Sequence, residues 1–339
     1  MAGILESMKV SRSLIAKEAG VTPTTVTCVL NNTRPVSEKV RKKVMDAIDK
    51  LNYVPDIAAR AMQGKGSKQI CIMVDSIKNP FFAELVYSME AEGIKKGFFF
   101  SICGKMDMRT YVAHIIARKI DAVYFCSEIQ EEEVKYIRQL LDNGIKVLTS
   151  PKFKYYNDEI SKIDMATGDA LISAVKYLND RGHKNIAFLN TFTETSNLDD
   201  RLPCYLKIAN ELNLKAIYTK PQNNIPANVE SGEILFEEII KNNKDVTAII
   251  GINDLVTIGA MTKAKELGYK VPDDVSFVGI DGIELSSFVE PKLTTFKSNA
   301  EELGKKAFEI LYNMINNNEI SLYNHCLTLI ERDSVKEIQ

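Results

Sequence analysis

The 339-residue sequence contains no tryptophan, only three histidines and no run of 18 consecutive apolar residues. A membrane-spanning helix needs about 20 such residues, so none is expected. The first ten residues, MAGILESMKV, lack the basic start and long apolar stretch of a secretion signal. We therefore expect a cytoplasmic protein without a membrane partner.

Motifs for catalysis or metal binding are also missing. The six cysteines include no C-x-x-C pair, and several lie in apolar runs typical of reduced, buried thiols. His114, His183 and His325 are far apart, and H-E-x-x-H, G-x-S-x-G and phosphate-binding loop motifs do not occur. The sequence therefore indicates neither an enzyme nor a protein that needs a metal or another cofactor.

Hydrophobic residues make up 45% of the chain and charged residues 26%, which is enough apolar surface for packed cores. The length exceeds the roughly 250 to 300 residues at which one core stops growing, so two or three domains are expected. Residues 1–68 carry 12 basic and 6 acidic side chains, whereas the remaining 271 residues carry 31 and 39. A basic segment can meet nucleic-acid phosphates, although it is more often only a solvated surface.

Three amphipathic helices are predicted near the amino terminus. Ser11 is a suitable N-cap for the first, which ends at Gly20, and Thr22 is one for the second. Ser37 caps a third helix, whose apolar residues form one stripe: Val40, Val44, Ala47, Ile48 and Leu51. Three such stripes can close a small core.

The second of these helices has two different faces. Its apolar face holds Val26, Val29 and Leu30, and its polar face holds Pro23, Thr24, Thr27 and Cys28. Small polar side chains at a helix N-terminus can approach base edges, while the helix dipole and Thr25 meet a phosphate. The pattern predicts a helix-turn-helix unit that binds DNA. The alternative is a three-helix cap or a protein-binding module.

From residue 69 onward, apolar strands alternate with amphipathic helices. The strand-like stretches are QICIMVD (69–75), GFFFSIC (97–103), DAVYFC (121–126), KVLTS (146–150), NIAFLN (185–190), KAIYTK (215–220), VTAIIGIN (246–253) and VSFVGID (275–281). This alternation predicts an α/β fold with two doubly wound parallel sheets. Ligands bind beyond the carboxyl ends of strands in such sheets, so a cleft is expected between the two.

Several side chains follow predicted strands and therefore face this cleft. They are Phe81, Phe82, Asp164, Asn253, Asp254 and Asp281. Paired aromatic residues often belong to a core, so we expect one phenylalanine to pack inside and one to contact ligand. Asn253 or Asp254 could instead only cap the following helix.

Several segments resemble the LacI/GalR family of bacterial transcription regulators. The first is AKEAGVTPTTVTCVLNNTRPVSEKVRKKVMDAIDKLNYVPDIAARAMQGK, followed by NPFFAEL (79–85), DRGHKNIAFL (180–189), GINDLVTIGAM (251–261), VPDDVSFVGID (271–281), EPKLTTF (290–296) and ERDSV (331–335). The resemblance implies a helix-turn-helix head, a hinge helix and a dimerising core of two periplasmic-binding-protein-like subdomains. The expected bounds are 9–54 for the head, 55–67 for the hinge helix and linker, 68–163 with 292–321 for the N-terminal subdomain, and 164–291 with 322–339 for the C-terminal subdomain.

The resemblance assigns roles to residues of the head and hinge. It implies that Pro23, Thr24, Thr27 and Cys28 lie in the major groove, with Thr25 and Asn31 at the DNA backbone. Cys28 replaces the usual arginine of the family, which can grip a guanine, so about 1–3 kcal/mol of base discrimination is lost.

In the hinge, Met62 matches an apolar wedge that opens a minor-groove step, with Ala59 beside it. Alternatively, Met62 only packs one hinge helix against another.

The resemblance also implies that Asp164, Arg201, Asn253 and Asp281 hold an effector, near Phe81 and Phe82 at the cleft mouth. Carboxylates and an amide opposite a guanidinium suit the hydroxyls of a polyol, so a sugar-like effector is favoured. Arg201 could instead pair only locally with the neighbouring aspartates. Cys204 stands where the family commonly has glycine, which puts the shape of the pocket in question.

The sequence therefore predicts a homodimeric, sequence-specific transcription repressor that binds a pseudo-palindromic DNA operator and answers to a small molecule. Two alternatives remain open: a solute-binding protein built on the same core, and a regulator that answers to a protein partner.

Overall fold

The computed structural model describes residues 10–31, 34–53, 66–104, 107–194 and 199–338. The chain divides into two compact units, Met1–Lys65 and Gly66–Gln339. The predicted hinge helix falls almost entirely outside the described residues.

The first unit contains the three predicted helices, α1 (Arg12–Ala19), α2 (Pro23–Asn31) and α3 (Glu38–Lys50). Local capping defines both ends of α1 and the start of α2. The Ser11 hydroxyl accepts a hydrogen bond from the amide of Leu14, and Gly20 ends α1 in the left-handed conformation with a φ of 65°. The Thr22 hydroxyl accepts a bond from the amide of Thr25 at 3.2 Å. Ser37 occupies the N-cap position of α3, but its side chain makes no capping hydrogen bond there.

The three helices enclose a small apolar core. Ile15 of α1, Val26 of α2 and Val44 of α3 are completely buried in it. The remaining buried members are Ala16, Ala19, Val29 and Ala47. The apolar stripes predicted for the three helices therefore meet in one cluster.

The second unit is built on two six-stranded sheets in the described part of the chain. Its strands are β1 (Gln69–Val74), β2 (Phe99–Gly104), β3 (Ala122–Phe125), β4 (Lys146–Thr149), β5 (Ser161–Asp164), β6 (Ile186–Leu189), β7 (Ile217–Tyr218), β8 (Ala248–Gly251), β9 (Ser276–Asp281), β10 (Thr294–Ser298), β11 (Leu322–Asn324) and β12 (Leu327–Ile330). The first sheet has the order β11-β5-β4-β3-β1-β2 and is parallel throughout. The second has the order β12-β10-β9-β8-β6-β7, in which only β12 is antiparallel to its neighbour.

Helices cover both faces of each sheet. They are α4 (Pro80–Lys95), α5 (Met108–Ala117), α6 (Val134–Asp142), α7 (Thr167–Asp180), α8 (Arg201–Glu211), α9 (Val229–Asn242), α10 (Asp254–Glu266) and α11 (Ala300–Asn317), with short 3-10 helices at Glu131–Glu133 and Glu284–Ser287. In the first sheet, Ile70 and Ile72 face α4 and α11, while the alternate residues Cys71 and Met73 face α5 and α6. The sequence correctly predicted this doubly wound architecture.

Two predicted subdomain boundaries are displaced by a few residues. In the range 292–321, assigned to the first subdomain, α11 packs on the first sheet, but β10 pairs with β9 and belongs to the second sheet. In the range 322–339, assigned to the second subdomain, β12 pairs with β10 in the second sheet, but β11 pairs with β5 in the first. The partner of a strand is set by long-range backbone pairing, which the short apolar pattern of these segments does not specify.

The strand orders place a switch point in each sheet. It lies between β1 and β3 in the first and between β6 and β8 in the second, where connections leave in opposite directions. Crevices form at the carboxyl ends of strands at such points. A ligand site is therefore expected at the loops that follow these strands.

Candidate functional site

A cavity of about 360 Å³ in the Gly66–Gln339 unit is lined by loops that follow strands of both sheets. All the predicted effector residues line it: Phe81, Phe82, Asp164, Arg201, Asn253 and Asp281. The structure thus brings together residues up to 200 positions apart in the sequence. Their role as ligand contacts stays a prediction.

Arg201 begins α8 and makes several charge-assisted hydrogen bonds at the cavity. Its Nε and Nη2 atoms donate to both carboxylate oxygens of Asp199 at 2.6–3.0 Å, and Nη1 donates to the carbonyl of Ile252 at 2.6 Å. Burial alone would lower the pKa of Arg201, but the Asp199 carboxylate outweighs it and raises the pKa. The local pairing envisaged as an alternative therefore exists, and it fixes the guanidinium at the cavity wall.

Asp281 ends β9 in a strained conformation, with a φ of 117° that residues with a side chain rarely adopt. Gly282 follows at a φ of 71°, and a Cβ on it would lie 2.4 Å from the Cβ of Lys297. The Asn79 amide donates to Asp281 Oδ2 at 3.3 Å, which joins the two subdomains. Burial raises the pKa of Asp281 to about 6, although the nearby Arg201 and the Asn79 bond oppose the rise.

A second connection across the cavity is the Lys152 cluster, formed by Lys152, Glu128, Asp199 and Asp200. Lys152 Nζ lies 3.1 Å from Asp200 Oδ1, 3.7 Å from Glu128 Oε1 and 3.9 Å from Asp199 Oδ2. Lys152 and Glu128 follow strands of the first sheet, whereas the two aspartates precede α8 in the second subdomain. Burial raises the pKa of Glu128 to about 7, partly offset by Lys152. The cluster joins the subdomains through ion pairs.

The neighbouring residues Asn253 and Asp254 differ in their position relative to the cavity. Asn253 caps α10 by accepting a hydrogen bond from the Val256 amide at 2.9 Å, and its own amide donates to the carbonyl of Ala227. Asn253 therefore does cap the helix, and it lines the cavity as well. Asp254 does not line the cavity: it is completely buried, where it accepts bonds from the Ile283 amide and the Thr295 hydroxyl. Burial raises its pKa well above the ordinary range.

Phenylalanine rings provide the apolar part of the cavity. Phe81 and Phe82 meet edge to face with centroids 5.4 Å apart. Phe81 is only 3% exposed and belongs to the core, whereas Phe82 is partly buried against it. Tyr124 and Phe125 of β3 also line the cavity, and Phe192 adds a ring from the second subdomain. Such rings can lie against the apolar face of a ligand that also has polar groups.

In the other unit, α2 presents the polar face that the sequence predicts. Pro23 and Thr24 are exposed, whereas Thr25, Thr27 and Cys28 are partly buried. The Thr27 hydroxyl donates to the carbonyl of Pro23 at 3.0 Å, and the Thr25 hydroxyl lies 2.9 Å from that of Thr22. The side chain of Asn31, together with Ala59 and Met62, lies outside the described part of the chain.

The cavity is also lined by residues that the sequence did not single out as ligand contacts. Among the polar and aromatic ones are Asp75, Asn79, Glu128, Lys152, Phe192 and Asp199. Asp75, Glu128 and Lys152 each come within three residues of the end of a strand. The rule that selected Asp281 would therefore have found them if it had been applied to every strand.

The residues that the structure describes include no helix long and apolar enough to cross a membrane. Nor do they contain a group of three or more histidine, cysteine or carboxylate side chains placed to hold a metal ion.

The chain matches known protein families in both units. The model for bacterial regulatory proteins of the lacI family matches residues 15–56, and that for a periplasmic binding protein-like domain matches residues 175–335. The HTH-type transcriptional repressor PurR of Vibrio atlanticus (strain LGP32) is 30% identical, covering 96% of this chain and 98% of the relative. PurR of Vibrio parahaemolyticus serotype O3:K6 is 32% identical, covering 90% of this chain and 92% of the relative.

Solved structures share the fold. The lac repressor dimer bound to operator and the anti-inducer ONPF superposes with a TM-score of 0.78 at 24% identity, covering 96% of this chain and 99% of that one. The complex of the transcriptional regulator CelR with cellobiose has a TM-score of 0.69 at 21% identity, with the same coverage.

Proposed function

This chain belongs to the lacI family of bacterial regulatory proteins, and from that premise we propose how it acts. It is a sequence-specific DNA-binding transcription regulator of the repressor type, controlled by a small molecule. We propose that it works in the cytoplasm as a homodimer on a pseudo-palindromic operator. The curated relatives are repressors, so we propose that the cavity binds a ligand rather than catalysing a reaction.

The amino-terminal unit supplies the DNA contacts in this proposal. The buried Val26 and Val29 hold α2 so that Pro23 and Thr24 project outward at its N-terminus. This end of the helix carries the partial positive charge of the helix dipole and suits the edge of a DNA groove. The excess of basic residues in 1–68 strengthens binding to phosphates through counterion release.

The observation that carries the ligand proposal is the cavity at both switch points. It combines fixed hydrogen-bonding groups, Arg201 and Asp281, with the partly buried ring of Phe82. A polyol can donate hydroxyl protons to the carboxylate, accept bonds from the guanidinium and place its C–H face on the ring. We therefore propose a sugar-like effector.

Ligand binding can act on DNA binding through the contacts that cross the cavity. The Asn79–Asp281 hydrogen bond and the Lys152–Asp200 ion pair join the two subdomains. A ligand that inserts between these groups changes the relative stability of two subdomain arrangements, and this difference is the coupling free energy. We propose that the operator-binding unit responds to this change.

A thermal-shift screen of sugars and nucleosides tests the proposal that a small molecule binds in the cavity. A ligand at 100 times its dissociation constant stabilises the folded chain by about 2.7 kcal/mol. The same compound should change operator affinity in a fluorescence anisotropy titration. If no sugar or nucleoside stabilises the chain, the small-molecule proposal fails, and control by a protein partner becomes the better account.

The salt dependence of operator affinity separately tests the proposal that the amino-terminal unit binds DNA. Operator affinity should fall linearly with KCl concentration on logarithmic axes, because each neutralised phosphate releases counterions. A flat response would contradict a DNA-binding unit that contacts phosphates.

A further inference from the structure

The side chains that line the cavity carry more negative than positive charge. The acidic ones are Asp75, Glu128, Asp164, Asp199 and Asp281, and the basic ones are Lys78, Lys152 and Arg201. Asp75 and Lys78 are both exposed, which leaves four acidic and two basic side chains that are at least partly buried. Around the interior of the cavity, carboxyl groups therefore outnumber cations.

The two interior cations are already bound to carboxylates. Arg201 is held by Asp199 through three hydrogen bonds of 3.0 Å or less from its side chain. Lys152 lies within 4.0 Å of three carboxylates, including Asp200. Acidic side chains thus still outnumber basic ones along the cavity wall, and a net charge where water is restricted is costly.

Burial also disfavours the charged forms of two of these carboxyl groups. Burial raises the pKa of Glu128 to about 7 and that of Asp281 to about 6. The groups facing Glu128 are Lys152, Asp199, Asp75 and Arg201, and those facing Asp281 are Arg201, Asn79 and Asp254. A cation placed beside these carboxyls would lower both pKa values.

We propose that the effector is a sugar-like molecule that carries a protonated amino group. This inference rests on the proposed function, because it names the chemical class of ligand for the same cavity. An ammonium group offers three hydrogen-bond donors and the positive charge that the cavity lacks. The rings of Phe82 and Phe192 can face the same cation. A phosphorylated sugar would instead add negative charge beside Glu128 and Asp281.

The test compares compounds that share one ring and differ in one substituent. Glucosamine, glucose and glucose 6-phosphate, together with the three galactose counterparts, are titrated into the full-length chain at pH 7 by calorimetry. A cation that lowers the pKa of one carboxyl by one unit binds about tenfold more tightly than its neutral parent. We expect at least that preference for an amine over the neutral sugar, and no binding of the phosphate ester.

The pH dependence gives an independent measure. Between pH 5.5 and 7 the two carboxyl groups ionise while the sugar amine stays mostly protonated. The affinity for the amine should therefore rise across this interval, and that for the neutral sugar should not.

Two variants test whether the preference for the amine depends on a carboxylate of the cavity. Glu128→Gln removes one carboxylate from the cavity and should reduce the amine preference to a few fold. Glu238→Gln makes the same change of charge at an exposed position of α9 and should leave the preference unchanged.

The outcomes separate this inference from the proposed function. Equal or tighter binding of the neutral or phosphorylated sugars would overturn the amine while leaving a sugar-binding regulator in place. If no compound binds in any arm, the sugar-like effector itself is rejected. If Glu128→Gln does not fold, the pH dependence of the unaltered chain still decides between the amine and the neutral sugar.

Discussion

Replacing Asp281 by asparagine should stabilise the chain at neutral pH, even though the residue lies in the proposed ligand site. Burial raises the pKa of Asp281 from 3.8 to about 6. The folded chain therefore binds the proton more tightly than the unfolded chain. The charged carboxylate thus costs stability above pH 6, and this cost disappears as the pH falls toward 4.

The size of the effect follows from the pKa difference of about two units. At about 1.4 kcal/mol per unit, the charge costs roughly 3 kcal/mol at pH 7.5 and about half as much at pH 5. Asp281 is partly exposed toward the cavity, so water reduces this cost, and we expect a gain of about 1–3 kcal/mol at pH 7.5. The asparagine oxygen can still accept the hydrogen bond from Asn79.

Urea unfolding followed by circular dichroism at both pH values measures the gain, with Glu238→Gln as a control for the change of net charge. The gain at pH 7.5 should be about twice that at pH 5. Lower stability of Asp281→Asn at pH 7.5, or an equal gain at the two pH values, would refute this reasoning. The variant should also lose its response to effector, because Asp281 is one of the proposed ligand contacts; functional sites often sacrifice stability in this way.

Three further substitutions test other parts of the account. Tyr205→Phe should lower the free energy of unfolding by about 1–3 kcal/mol, because the buried hydroxyl donates its one proton to the carbonyl of Ile186 at 2.8 Å and accepts a hydrogen bond from the Ile217 amide at 2.9 Å; unchanged urea unfolding would contradict this. Gly232→Ala should destabilise α9 and α10 severely, because its Cβ would lie 2.0 Å from the carbonyl of Val256; a melting temperature equal to that of the parent would contradict such close contact. Met62→Gly should weaken specific operator binding while sparing non-specific binding, as fluorescence anisotropy can show; equal losses would remove the wedge role.

The local parts of the fold were predictable because short-range chemistry determines them. The Ser11 and Gly20 caps fix both ends of α1, and their positions can be recognised within a few residues. The strands likewise follow from apolar runs, since both faces of each sheet are covered by helices. These signals need no knowledge of the rest of the chain.

The assignment of β10 and β11 to their sheets was not predictable in the same way. Leu322–Asn324 is only three residues long, and its partner Ser161–Asp164 lies about 160 residues away. Nothing within either segment specifies that pairing. The predicted boundaries at 292 and 322 failed for this reason.

In the candidate site, too, some residues were predictable from their local sequence and others were not. The position of Asp281 after a strand indicated the cavity, and the resemblance to a family added Arg201. Glu128 and Lys152 also follow strands and are covered by the same rule, but the ion pairs of the Lys152 cluster join loops of two subdomains. Charge pairs of this kind depend on how the sheets face each other, so spacing along the sequence does not reveal them.

The central claim is that the outward face of α2 reads base pairs, and operator discrimination tests it most directly. The operator is first located by footprinting across the source genome. Binding of this site and of a scrambled duplex is then compared for the parent, Thr24→Ala and Met45→Ala, an exposed change on α3. The account predicts that Thr24→Ala lowers the preference for the operator about tenfold without weakening binding to the scrambled duplex, whereas Met45→Ala does neither. The absence of any protected site, or equal losses on both duplexes, would contradict it.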